Sequence, residues 1–67
     1  MKYRAEENKI ISYDDYESYT VAKCNEPEKA IQLFEKAHYL NDVKRKYTAS
    51  ARLFAQAEIL PGFQWIN

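Results

Sequence analysis

Cys24 and His38 are the single cysteine and the single histidine of the chain, and they alone could form a thiol activated by an imidazole base. Such a pair works only if the fold brings both side chains within hydrogen-bond reach, and no third residue is marked to orient the ring. The expectation is a buried thiol near a strand end, a histidine on a helix flank, and no catalysis. Gly62 is the one glycine, whereas loops that cradle phosphates need several, so the Gly-rich nucleotide sites are not expected. One cysteine makes no intramolecular disulfide, and no Cys/His cluster has zinc-ligand spacing. The chain reads as a non-enzyme without metal or cofactor.

Two charged groups are better candidates, and both point to binding. Asp14, Asp15 and Glu17 stand beside Tyr13, Tyr16 and Tyr19, which would present an acidic, aromatic patch to a basic partner. The alternative for this group is a solvated turn with tyrosines on sheet faces. Lys44, Arg45 and Lys46 fall where a second helix is expected to start, and cations in a first turn oppose the macrodipole. From Val43 onward four basic residues face Glu58, leaving this part at +3 and the rest of the chain at −3. Arg45 and Arg52, on such a helix, would share a face as a phosphate-contacting stripe or as a surface for an acidic protein. Nothing aromatic interleaves with that face to stack on bases.

These groups must be positioned by a few short elements. In "NEPEKAIQLFEKAHYL", Asn25 is placed to cap a helix, with Glu28 completing a capping box and Pro27 in the first turn. That helix should begin at about Glu26 and bury Ala30, Leu33, Phe34, Ala37 and Leu40. A second helix is expected after a cap at Asn41 or Asp42. Its apolar arc would hold Tyr47, Ala51 and Phe54 beside Leu53, Ala57 and Leu60, with Arg45, Thr48, Arg52 and Gln56 polar. Upstream, "SYTVAKC" has strand character and "NKIISY" is its expected hairpin partner, with Asp14 and Asp15 in the turn. A rival reading caps a helix at Ser12, with Asp14, Asp15 and Glu17 in its first turn. The fold expected is α+β over residues 1–67: an N-terminal β-hairpin, two antiparallel helices, and a C-terminal tail folded back on them. The alternative is an all-α three-helix domain.

"EKAIQLFEKAHYLND" resembles the second helix of a tetratricopeptide repeat through Ala30, Phe34 and Ala37, although no complete first helix accompanies it. The stretch from Cys24 through "LFEK" to Tyr39, with "YTAS" later, is loosely similar to the small Hha-type nucleoid-associated regulators. That resemblance implies an all-helical fold and a partner regulatory protein. Neither assigns a family.

A core built from 67 residues is marginal without a crosslink or metal. Aromatic residues make up 15 % of the chain and six of them are Tyr, so surplus amphipathic surface suits an interface. Zero formal net charge removes global repulsion as a brake on association and argues against a nucleic-acid coat. No apolar run has membrane-spanning length and "MKYRAEENKI" lacks a signal-peptide stretch, so a cytoplasmic protein without a membrane partner is expected. Pro61 and Gly62 should turn the chain so that Phe63 and Trp65 return to the body, over the second helix or as an edge strand. The functional expectation is a small protein-interaction module that binds and modulates or inhibits a larger macromolecule, of a kind common among mobile-element accessory proteins. A homodimer fits the same expectation. The alternative is a nucleic-acid-associated regulator using the basic start of the last helix. Partner contacts are assigned to Tyr13, Asp14, Asp15, Tyr16, Tyr19, Lys44, Arg45, Lys46 and Arg52.

Overall fold

Strand-forming residues occupy more of this chain than a single hairpin requires. The computed structural model describes residues 2–66, which run β1 (Lys2–Glu6), β2 (Lys9–Tyr13), β3 (Ser18–Lys23), α1 (Pro27–Asp42), α2 (Tyr47–Glu58) and β4 (Gln64–Trp65). The four strands form one antiparallel sheet in the order β1-β2-β3-β4. The class is therefore α+β, and the all-α alternative is overturned. Ser12, its proposed helix cap, lies buried in β2 with Tyr3 and Tyr19 opposite it on the two neighbouring strands.

β2 is buried along its middle, where Ile10, Ile11 and Ser12 follow one another. Ile10 and Ser12 are buried on β2, and Ala5, Tyr3 and Ala22 stand in register with them or one strand away. The register slips between Ile10 and Ile11: Ile10 faces Ala22 and Ile11 faces Thr20, which leaves Val21 as an extra residue on β3. Val21 and Ala22 both join the core. β1, which was not anticipated, alternates exposed and half-buried positions, as an edge strand over a helix does.

The core gathers Ile10, Ala22, Cys24, Ala30, Phe34 and Ala57. Phe34 is its centre, with Tyr3, Phe54, Phe63 and Trp65 all in ring contact. These residues come from β1, α2, the tail and β4, so one side chain of α1 holds every layer together.

The helix starts differ from expectation. Asn25 is not the cap of α1. Glu26 occupies that position without a side-chain bond, and Pro27 opens the helix. The Asn25 backbone N–H donates to the Pro61 carbonyl at 2.9 Å and so ties the entry of α1 to the exit of α2. Nor do Asn41 and Asp42 cap the second helix, since α1 runs through both. The chain then turns at Val43–Lys46: the N–H groups of Val43 and Lys44 donate to the Tyr39 carbonyl, and that of Lys46 to the Leu40 carbonyl at 2.7 Å. Arg45 turns in the left-handed region at φ 55°. In α2, Ser50 and Ala57 are buried with Leu53 and Phe54 half-buried, whereas Tyr47 and Ala51 are exposed. Ser50 is buried where Tyr47 and Ala51 were expected, whereas Phe54 keeps its place against Phe34.

Gly62 at φ 72° reverses the chain after α2. Trp65 then pairs with Ala22 and Gln64 with Lys23, and the Ile66 N–H donates to the Val21 carbonyl at 3.0 Å. The tail is thus an edge strand. No helix among the described residues is long and apolar enough to cross a membrane.

Candidate functional site

The acidic group forms the loop between β2 and β3. One oxygen of Asp14, Oδ1, accepts the N–H of Tyr16 at 2.7 Å and of Glu17 at 2.9 Å. The Asp14 N–H in turn donates to the Glu17 carbonyl at 3.0 Å. Aspartate favours this arrangement because its short side chain mimics a backbone turn. The bonds to Tyr16 and then Glu17 stabilise the ionised form and hold the Asp14 carboxyl below its ordinary value. Asp15 and Glu17 are exposed, and Tyr16 stands between them with 96 % of its surface free. Tyr13 and Tyr19 flank the loop from the two strands, and with Ser12, Asp14 and Glu17 they line a shallow hollow at its base. The Arg4 guanidinium lies 5.1 Å from the Tyr13 ring centre, which steadies that ring.

The basic group requires a correction. Lys44, Arg45 and Lys46 do not occupy the first turn of a helix; they make the α1–α2 loop, and the last of them precedes α2. There, Lys44 and Arg45 follow the carbonyl end of α1, where cations complement the macrodipole. Arg45, outside either helix, shares no helical face with Arg52, which is exposed within α2 and apart from the loop. Aromatic residues do accompany the cations. Tyr39 and Tyr47 are 50 % and 61 % exposed on either side of the loop, and Lys44 Nζ lies 6.0 Å from the Tyr39 ring centre. Helical periodicity put Tyr47 on a buried stripe and gave Tyr39 no role, and both are exposed.

Cys24 and His38 have separate partners. The buried Cys24 thiol donates to the Pro61 carbonyl at 3.6 Å and its sulfur accepts the Glu26 N–H at 3.4 Å. His38 Nε2 lies 2.6 Å from the Tyr3 hydroxyl, with the two rings stacked and Phe54 edge-on to the imidazole. Burial, then the neighbouring Tyr19 and Glu35, raises the Tyr3 pKa. The Tyr3–His38 pair was not legible without β1. Among the described residues, no group of three or more His, Cys, Asp or Glu side chains is arranged to hold a metal ion.

In comparisons with known proteins, the chain matches no family model, no curated relative and no solved structure.

Proposed function

We propose that the chain is a small, non-enzymatic protein-interaction module that docks on a larger protein and modulates or inhibits it. The observation that carries this reading is the presentation of Tyr16 by Asp14. Two backbone N–H groups held by one carboxylate oxygen preset the turn, and the ring stands free at its tip. A side chain displayed by an ordered loop loses less freedom when it is buried by a partner, and tyrosine is enriched among the residues that dominate binding energy. Asp15 and Glu17 beside it suit a cationic rim on that partner. The hollow between Tyr13 and Tyr19 would receive one of the partner's side chains. Lys44, Arg45 and Lys46 would offer a second, basic surface on the α1–α2 loop, with Arg52 apart from it in α2, and the reading is of a cytoplasmic module, as a monomer or a homodimer.

Affinity capture from native cell extract with the wild-type chain and with Tyr16→Ala, alongside thermal unfolding of both, tests the proposal. The expected result is a retained protein that disappears with Tyr16→Ala at an unchanged melting temperature. Retention of the same proteins by both forms overturns it.

A further inference from the structure

We infer that the α1–α2 loop is a contact site for single-stranded nucleic acid, with Lys44, Arg45 and Lys46 facing phosphates and Tyr39 and Tyr47 offering ring faces to bases. This surface is separate from the Tyr16 loop and does not depend on it. From Tyr39 to Tyr47 the chain holds three cations and one acidic residue, Asp42, whose carboxylate accepts the Asn41 side-chain N–H at 2.9 Å. Among the described residues, the ion pairs are Arg4–Glu6 and Lys29–Glu26, so none of the three cations has a carboxylate partner there. The loop is ordered by main-chain bonds from Val43, Lys44 and Lys46 back to Tyr39 and Leu40. Arg45 turns the loop through left-handed backbone at φ 55°, as Glu7 does between β1 and β2 at φ 56°.

The two rings select among anions. Base–aromatic stacking tolerates any sequence because every base has a flat face, and cations beside the rings follow the phosphate backbone. Bases inside a duplex are already stacked on each other, so ring faces favour an unpaired strand. The complementarity is therefore to a single strand, with about three phosphates neutralised.

Fluorescence anisotropy of the full chain with labelled oligo-dT, oligo-rU and a duplex of equal length tests the assignment. Expected is preference for the single strands, with log K falling against log salt at a slope of about −2, since each phosphate neutralised contributes roughly −0.7. Lys44→Ala and Lys46→Ala should each flatten the slope by roughly 0.7. Arg45→Gly should do the same while suiting the left-handed turn, so that loss of binding there is not loss of fold. Tyr39→Leu and Tyr47→Leu should weaken binding roughly tenfold with the slope preserved. In amide spectra, residues 39–47 should shift on titration. Absence of binding at low salt, equal affinity for duplex with no effect of the tyrosine variants, or binding of polyglutamate in place of oligonucleotide would each overturn the inference.

Discussion

The indole of Trp65 lies face to face with the ring of Phe34, their centres 5.5 Å apart and their planes 12° from parallel. Phe63 meets the same indole edge-on at 4.9 Å, and the indole N–H donates to a Glu58 carboxylate oxygen at 2.7 Å. A tryptophan two positions from the chain end is thus held by the core on one face and by α2 at its polar edge. It remains 41 % exposed. Trp65→Ala is expected to cost about 2 kcal/mol, below the range for a fully buried indole, and to lower the urea midpoint measured by circular dichroism. Glu58→Gln should change stability by less than about 0.5 kcal/mol, because that bond is exposed.

Tyr3 and His38 join the outer strand to α1 across 35 positions of sequence. Tyr3→Phe should cost about 1 kcal/mol, and a double-mutant cycle with His38→Phe should show coupling between the two sites. Because the folded-state pKa of Tyr3 is raised, its contribution is full below the unfolded value of about 10 and is lost as pH rises through the folded value. Alkaline unfolding of Tyr3→Phe should accordingly show a weaker pH dependence than that of the wild type.

Asp14 has the opposite sign. Its folded-state pKa is lowered, so what it contributes is present above the unfolded value of about 3.9 and is lost as pH falls through the folded value. The Tyr16 and Glu17 amides should then exchange faster with solvent in acid. Asp14→Asn, which keeps an acceptor oxygen, should retain the turn at neutral pH and abolish its acid transition, whereas Asp14→Ala should loosen the turn at every pH. Hydrogen-exchange measurements on the two amides distinguish these outcomes.

Gly62 combines φ 72° with a close neighbour: a Cβ placed there would stand 2.5 Å from Asn25 Oδ1. Gly62→Ala should therefore destabilise the fold by about 1–3 kcal/mol, through both backbone strain and displacement of Asn25. Adding Asn25→Ala should restore only the steric part. Thermal unfolding of the two single variants and the double variant checks the division.

Local chemistry determined several features outright. Pro27 and the Ala30, Phe34, Ala37 spacing specify α1, since period and first-turn proline act within one helix. The β-branched and aromatic residues of β3, with Asp14 in the turn, favour a hairpin over the rival helix capped at Ser12. Tertiary structure decided what depends on distant partners. "KYRAE" carries no strong strand signal and becomes β1 because β2 offers an edge, just as "QW" becomes β4 beside Ala22 and Lys23. Asn25 satisfies Pro61 rather than capping α1, and main-chain bonds to Tyr39 and Leu40 keep Lys44–Lys46 out of α2. In each case a backbone group was satisfied by a residue remote from it or by a carbonyl several positions back, and periodicity within a short window carries no record of that choice.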